Sequence, residues 1–369
     1  MAEELEGGLL RSHGSVPSGC GARARNLVRQ PGRSFRIRRR WYVNSMTASA
    51  ILERIPALKV LVAGDICLDR WCTYDPALGE PSRETGLTRV AVTSTETTAG
   101  AGGTVANSLA ALGAGAVSVL GAVGGDGFGF ELRQALARVG VDDSLLVPTP
   151  GATFTYTKLL NKETGEEDLG RIDFIAPPPP PENEREIMRR LLEHAPRFDA
   201  VIVSDQAETE TGGVVTPGVR EALSQLARQR PSLLIWVDSR LRPELFRDVM
   251  VKPNEREARE ACARLGAASF QQLRAAIGQR LMMVTHGGEG VLILEENGES
   301  WVRTRPVENP VDICGAGDSF SAGAVLALAA GASPQEAARF GNLVASVTIM
   351  KKGTGTASPA EVLEAESRL

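Results

Sequence analysis

Short apolar runs alternate with stretches of helical periodicity along most of the chain from Lys59 onward. The apolar runs are KVLVAGD (59–65), VSVLGAVGGD (117–126), AVIVSD (200–205), LLIWVD (233–238), MMVTHGG (282–288) and VLILEENG (291–298). The helix-like stretches are GTVANSLAALGA (103–114), FELRQALARVGV (130–141), ENEREIMRRLLEHA (182–195), GVREALSQLARQ (218–229), EREAREACARLG (255–266) and FQQLRAAIG (270–278). Strands that alternate with helices of about 10–15 residues predict an α/β fold with a mostly parallel central sheet.

Two segments depart from this alternation and read as antiparallel strands. RVAVTSTETT (89–98) and TFTYTKLLNKETGEEDLGRIDF (153–174) alternate apolar and polar residues, and KETGEE resembles a hairpin turn. Period-two alternation is typical of strands with one solvated face. We therefore predict a small antiparallel β lid formed by segments near 71–98 and 153–175, with the stiff PPPPP connector (177–181) leading back to one main domain, 46–369.

The first 45 residues differ from the rest of the chain. They crowd arginines between glycines, serines and prolines, but the chain opens with the acidic MAEELEG and has no apolar core of a secretory signal. We interpret 1–45 as a disordered extension or as a spurious one, with Met46 as the true start. An arginine-rich transit peptide is the alternative.

Composition argues against several classes of partner. The net charge is −4, aromatic residues make up 5%, and no apolar run approaches the roughly 20 residues that span a bilayer. We therefore expect neither a nucleic-acid nor a membrane partner. Five cysteines without a CxxC pair, together with three histidines, give no zinc-ligand spacing. A reducing, cytoplasmic setting is the expectation.

The stretch CGAGDSF (314–320) places two glycines and one acid before an alanine-rich helical run. A glycine-rich turn at a helix start exposes N–H groups to an anion, which the helix dipole favours. An acid beside a phosphate site is understandable if it takes the proton of an attacking hydroxyl. Asp318 is thus a candidate base, and a helix N-cap is the alternative.

Five motifs in order resemble the ribokinase-like (PfkB) sugar kinases over roughly 58–358. They are AGAGGTVANSLAALGA (99–114), VLGAVGGDGFG (119–129), KPNEREA (252–258), THGGEGV (285–291) and DICGAGDSFSAG (312–323). One glycine-rich loop is weak evidence, whereas five ordered motifs are specific. The resemblance implies a three-layer α/β/α fold with a small lid, and ATP-dependent transfer of a phosphoryl group to a sugar hydroxyl with Mg²⁺.

The resemblance also implies roles for individual residues. Asp318 would be the catalytic base, and the anion hole would comprise Gly315, Ala316 and Gly317. The sugar hydroxyls would be held by Asp65, Asp69, Gly102, Gly103 and Asn107. The nucleotide would be bound by Asn254, Glu257, Thr285, Gly287, Gly290 and Asn342, with Glu257 contacting Mg²⁺ through water. Asp312 would help to hold a monovalent cation such as K⁺.

Within the family, GDICLDRW and the RIDF hairpin end look most like the heptose-7-phosphate kinase branch. The Lys-Gly of one element of that branch is replaced here by Glu208–Thr209. At a second element, where the branch has a lysine, this chain has Arg240. No basic residue for the transferred phosphate is evident. Cys314 stands where a small hydroxyl residue is common, and we interpret it as a small buried side chain that fills the turn.

Two rival functions stay open from sequence. One is a nucleoside kinase on the same fold, and the other is a non-catalytic sugar or nucleotide sensor. The polar residues of GDICLD favour a polyol over a nucleoside as the substrate. The acid of the GAGD element favours an enzyme over a sensor. Because exposed lid edges seek partners, we also predict a homodimer through the lid.

Overall fold

The computed structural model describes residues 46–175, 177–209, 213–305 and 307–368. The strands are β1 (Lys59–Gly64), β2 (Ile66–Tyr74), β3 (Val92–Ala101), β4 (Ala116–Leu120), β5 (Ala122–Gly124), β6 (Val147–Thr149), β7 (Thr155–Asn161), β8 (Ile172–Phe174), β9 (Ala200–Asp205), β10 (Leu234–Ser239), β11 (Met250–Val251), β12 (Leu281–Thr285), β13 (Val291–Glu295) and β14 (Gly298–Val302). The helices are α1 (Ala48–Leu52), α2 (Gly102–Ala111), α3 (Gly127–Arg138), α4 (Pro181–His194), α5 (Pro217–Gln229), α6 (Glu255–Leu265), α7 (Phe270–Ile277), α8 (Ala316–Ala329), α9 (Pro334–Thr348) and α10 (Pro359–Ser367).

The central sheet has eight strands in the order β14-β13-β12-β11-β10-β9-β1-β4. Its strands pair in parallel from β4 to β12, and β13 and β14 add an antiparallel hairpin at one edge. The parallel strands read as continuous apolar runs because both faces of the sheet are covered. Their carboxyl ends meet at one edge, where the motifs of the sequence come together.

Each face of the sheet has its own hydrophobic core. Val60 and Val62 of β1 face a cluster that includes residues of α2, α3, α8 and α9. Leu61 and Ala63 face a second cluster with residues of α4, α5, α6 and α7. Alternate residues of a strand point to opposite faces, so β1 contributes to both cores and the domain has three layers. Burying each branched side chain contributes about 1.5–3 kcal/mol.

A second sheet forms the lid, in the order β3-β2-β7-β8. Two of its three pairings are antiparallel, and β2 runs parallel to β7. The lid therefore begins at Ile66, directly after β1 and earlier than the sequence indicated, because β2 continues from the end of the central strand. Strand β3 lies at one edge of this sheet and leads into α2.

The predicted N-terminal extension, 1–45, lies outside the described residues. Among the residues that the structure does describe, no helix is long and apolar enough to cross a membrane. The same residues contain no group of three or more His, Cys, Asp or Glu side chains arranged to hold a metal ion.

Candidate active site

The nest is the first turn of α8, residues 315–318, which the sequence predicted as an anion-binding site. Gly315 is its N-cap with φ 77°, in the left-handed region that favours glycine. Among the described residues, no acceptor takes the N–H groups of Gly317 and Asp318, whereas Ser319 N–H donates to Gly315 at 2.9 Å. Free N–H groups and the helix dipole make this turn suited to an anion.

Asp318 lies in that turn, half-buried among other charges. Burial, reinforced by the negative charge of Asp238, raises the pKa of Asp318 to about 7, and the positive charges of Lys252 and Arg240 oppose the rise. The side chain makes none of the hydrogen bonds that an N-capping acid makes, since α8 has Gly315 as its N-cap and no side-chain cap. A carboxylate with a pKa near neutral suits a general base.

Lys252 is a buried cation next to this turn that the sequence analysis did not single out. Its side chain is 4% exposed, and its Nζ lies 2.8 Å from Oδ2 of Asp238 at the end of β10. Nζ is 3.4 Å from the position that a Cβ would occupy on Gly317. The ammonium group therefore faces the nest. The available sequence signal was its position directly before Pro253–Asn254 in KPNEREA.

Asp69 enters the same site from the lid strand β2. Burial raises its pKa to about 6, and its nearest hydrogen-bond partner is the Cys67 thiol, 3.7 Å from Oδ1. Its charge is among those that raise the pKa of Asp318. A half-buried carboxylate whose one hydrogen-bond partner among the described residues is a weak thiol donor can accept hydroxyl groups of a polyol.

Asp65 is engaged by the protein itself. Its carboxylate accepts the N–H groups of Gln206, Ala207 and Val214 at 2.8–2.9 Å. The side chain is 3% exposed. Asp65 therefore anchors the loop after β9. It also lines the cavity described below, and its contact with the sugar stays a prediction.

The glycine pair of α2 permits close packing at the start of that helix. A Cβ on Gly102 would lie 2.6 Å from Ile66 Cδ1, and one on Gly103 would lie 2.5 Å from Ala99 Cβ. Asn107, one turn on, donates Nδ2 to the Ala99 carbonyl at 3.2 Å. Its Oδ1 is buried and has no hydrogen-bond partner among the described residues, which leaves one acceptor available to a ligand hydroxyl.

A cavity of about 580 Å³ lies between the lid and the loop after β9. Asp65, Arg171 and Glu208 are among its lining residues, whereas Asp318 is not. The guanidinium of Arg240 forms an ion pair with Glu208 and also acts on the pKa of Asp318, so cavity and nest are neighbours. The cavity is large enough for a sugar-sized acceptor.

Three cationic side chains on the lid and near the cavity already form ion pairs with carboxylates. Arg171 contacts Asp173 at 2.7 Å and stacks 4.7 Å from the Tyr156 ring centroid. Lys158 lies 3.8 Å from Glu167, and Arg240 pairs with Glu208.

The KPNEREA motif forms the start of α6. Asn254 Oδ1 accepts the Glu257 N–H at 2.9 Å, and Glu257 Oε2 accepts the Asn254 N–H at 2.8 Å, which is a capping box. Thr285 N–H donates to the Pro253 carbonyl at 3.1 Å. The structure thus brings together Asn254, Glu257 and Thr285, which the resemblance assigned to the nucleotide.

A hydrated Mg²⁺ fits this corner. Glu257 Oε1 has no hydrogen-bond partner among the described residues, and burial raises the pKa of Glu257. Mg²⁺ usually keeps several waters and binds one or two carboxylates together with substrate phosphates. A single buried carboxylate, without a protein cage of three or more ligands among the described residues, agrees with that mode.

The loop after β12 and helix α9 carry the other residues assigned to the nucleotide. Gly287 and Gly290 have φ of 53° and 113°, and a Cβ on Gly290 would lie 2.2 Å from the Val302 carbonyl oxygen. Asn342 lies on α9, and its buried Nδ2 finds no acceptor in the part of the chain that the structure describes. Helix α9 packs against β13 and β14, next to β12.

Asp312 ties the nest to a neighbouring loop. Its carboxylate accepts N–H groups from Cys314 at 2.8 Å and from Gly353 at 3.1 Å. The expectation that Cys314 is buried is wrong, because its side chain is exposed. The backbone bonds of Asp312 hold this turn together, so no side chain has to fill it.

Comparison with known proteins identifies the family. The model described as pfkB family carbohydrate kinase matches residues 58–176 and 206–361. The bifunctional protein HldE of Trichlorobacter lovleyi is 31% identical over 331 residues, 86% of this chain and 65% of that protein. The bifunctional protein HldE of Geobacter sulfurreducens is 32% identical over 319 residues, 83% and 62% respectively. The chain thus spans less than two thirds of the length of these relatives.

Solved structures confirm the predicted fold. Phosphofructokinase-2 from Escherichia coli, in complex with potassium, has a TM-score of 0.64 at 20% identity, covering 84% of this chain and 99% of that one. Ribokinase from Arabidopsis thaliana, complexed with ribose and ATP, has a TM-score of 0.62 at 18% identity, covering 84% and 98%. The family match extends over most of the chain, and the HldE relatives agree with the predicted branch. This chain therefore belongs to the pfkB family of carbohydrate kinases.

Proposed function

We propose that the protein transfers the γ-phosphoryl group of ATP to a hydroxyl of a sugar or sugar phosphate. The observation that carries this proposal is Asp318 in the first turn of α8. Its pKa is raised to about 7, and it lies beside free N–H groups and a buried ammonium group. A sensor would need the nest but not a base.

In the proposed reaction Asp318 accepts the proton of the acceptor hydroxyl. The hydroxyl oxygen forms a bond to the γ-phosphorus, the bond from that phosphorus to the β,γ-bridging oxygen breaks, and ADP leaves. The N–H groups of Gly317 and Asp318 stabilise the charge on the phosphoryl oxygens in transit. Bound Mg²⁺ would neutralise the charge of the phosphates, with Asn254 and Glu257 holding its hydration shell. The lid strands exclude water from the site.

The finer assignment is the acceptor, for which we propose D-glycero-D-manno-heptose 7-phosphate as the first compound to test. Its support is the identity of more than 30% with HldE proteins and the cations Lys158, Arg171 and Arg240 around the acceptor side. All three cations are paired with carboxylates. An unphosphorylated sugar could bind without breaking those pairs, and is the second class to test.

Further parts of the proposal concern ions, assembly and setting. Asp312 in the turn before the nest supports a monovalent cation there, which substitution of K⁺ by a bulky organic cation would test.

Edge strand β3 exposes Val92 and supports a dimer through the lid. Light scattering that finds only monomer would contradict this dimer. Cys67, Cys72, Cys262 and Cys314 are free thiols, in agreement with a reducing cytoplasm.

The deciding experiment measures ADP release from Mg·ATP over a panel of sugars, sugar phosphates and nucleosides. We expect one sugar class to stimulate turnover, and Asp318→Ala to lower kcat by about 1,000-fold. Asp199→Ala is the control, because Asp199 lies just before β9 at the opposite end of the sheet. Stimulation by nucleosides alone would favour a nucleoside kinase. Binding of ATP without any turnover would favour a sensor.

A further inference from the structure

We propose that Lys252 binds the phosphoryl group while it is transferred, and that Asp238 is the positioning residue that aims the Lys252 ammonium group at the nest. The inference rests on the proposed kinase function and adds a cationic residue to the phosphoryl site. It also explains why Gly317 carries no side chain.

The first argument is the incomplete set of partners around Nζ. An ammonium group has three donors, and among the described residues only Asp238 Oδ2, at 2.8 Å, accepts one of them. Lys252 is 3% exposed, so bulk water is a poor substitute for the missing acceptors. A buried cation with unused donors indicates a ligand that supplies oxygens.

The second argument is the position of Nζ relative to the nest. A Cβ on Gly317 would lie 3.4 Å from Nζ, so the ammonium group borders the space left open by this glycine. The N–H groups of Gly317 and Asp318 border the nest from the helix side. A phosphoryl oxygen between them would accept hydrogen bonds from both sides, and such charge-assisted bonds are short and strong.

The third argument is how the pair is held. Lys252 and Asp238 are both buried, and their opposite charges meet at 2.8 Å. Asp238 Oδ2 also accepts from Ser321 Oγ at 3.4 Å, which fixes the carboxylate against α8. The pair is thus held between β10 and α8, at the site of transfer.

A purely structural ion pair is the competing interpretation, and equilibrium binding separates the two. Calorimetry would compare Mg·ADP with the Mg complex of the β,γ-imido analogue of ATP. For Lys252→Met we expect unchanged affinity for ADP and about tenfold weaker affinity for the imido analogue. Lys252→Arg should recover part of the difference. Wild-type affinity of Lys252→Met for both nucleotides would overturn the proposal.

Removing one partner of a buried pair also leaves the other unpaired, so folding needs its own control. The double variant Lys252→Met/Asp238→Asn keeps the site neutral, and its thermal melting should lie near that of the wild type. Lys59→Met removes a lysine at the opposite end of β1 and should leave binding unchanged. If the double variant folds and still prefers the imido analogue as the wild type does, Lys252 has no role in phosphoryl binding.

Kinetics then assign the step. With a sugar that the wild type turns over, Lys252→Met should lower kcat by about 100-fold with the sugar KM nearly unchanged. Asp238→Asn should lower kcat less and shift the acidic limb of the pH profile downward, because among the groups facing Asp318, Asp238 and Asp69 raise its pKa while Lys252 and Arg240 lower it. A rise of the sugar KM by about 100-fold with an unchanged kcat would contradict a role of Lys252 in phosphoryl transfer. If no sugar is turned over while Lys252 still governs binding of the imido analogue, the kinase function fails and the phosphate site stands.

Discussion

Gly100 lies so close to Asp69 across strands β2 and β3 of the lid that any side chain at position 100 would displace the Asp69 carboxylate. A Cβ on Gly100 would lie 2.3 Å from Cγ of Asp69. Gly100 pairs with Cys67 in the register of β2 and β3, which brings its Cα beneath the carboxylate. The glycine therefore makes room for the Asp69 carboxylate, which the family resemblance assigns to the sugar acceptor.

We expect Gly100→Ala to push the Asp69 carboxylate out of place. The new Cβ is bonded to the backbone and cannot move, whereas the Asp69 side chain can rotate. The acceptor KM should rise by about tenfold or more, since hydrogen bonds to a charged group are worth about 1.5–3 kcal/mol. Steady-state kinetics with varied sugar would measure this. Gly127→Ala is the matched control, because a Cβ at Gly127 meets no atom of the described residues within 4 Å. Equal KM values for the two variants would contradict the role of Asp69.

The second prediction concerns pH. The pKa of Asp318 is raised to about 7, so the residue is increasingly protonated below that pH and cannot accept a proton. The value of kcat/KM should therefore fall by about tenfold per pH unit below neutrality. Below about pH 6 Asp69 protonates as well, and the slope should steepen. A profile that stays flat from about pH 8 down to about pH 5 would remove Asp318 from the role of base.

Gly317→Ala separates anion binding from stability. Gly317 has no positive φ, and alanine in a helix is favoured over glycine by about 1 kcal/mol. The added methyl group would nevertheless occupy the space between the nest and Nζ of Lys252. We expect an unchanged or higher melting temperature together with a loss of kcat of about 100-fold. Wild-type kcat in this variant would show that the phosphoryl group does not pass through the nest.

The next prediction concerns Arg242, which helps to hold the loop after β9 in place. It is 8% exposed and pairs at 2.7 Å with Asp205, which is fully buried, and it also donates to the Ala207 carbonyl at 3.2 Å. Arg242→Met leaves Asp205 buried without its cation, so we expect the free energy of unfolding to fall by about 3–5 kcal/mol. Urea titration would measure this loss.

The control for that prediction is Arg228→Met, which breaks an exposed pair with Asp248 of similar length, 2.9 Å. Its cost should be about 0–1 kcal/mol. The double variant Arg242→Met/Asp205→Asn should recover part of the loss because it removes the buried charge. If the two arginine variants cost the same, the buried pair has no special role in holding the loop after β9.

Much of the fold and part of the candidate site were accessible from sequence. Strand β9 has the bounds that its apolar run predicted, and α6 and α7 begin where their helical periodicity begins. Such patterns are local, because each reflects how neighbouring residues face a core. The GAGD turn was equally readable, since a glycine turn and a helix start are features of adjacent residues.

Other features required the folded chain. The carboxylate of Asp65 accepts three N–H groups from the distant loop after β9, which its motif does not indicate. Asp312 likewise accepts the N–H group of Gly353, which lies 41 residues away along the chain. No local pattern encodes either contact, since both partners come from other parts of the chain.

The sequence by itself determined the alternation of strands and helices and the motifs at the carboxyl edge of the sheet, because periodicity and turn chemistry act over a few residues. Only the tertiary structure decided that Lys252, at the end of one strand, faces Gly317 at the start of a distant helix. Packing of α8 against the sheet brings the two together. The charge of a buried site is likewise a property of that packing, since desolvation and neighbouring charges set the pKa of Asp318.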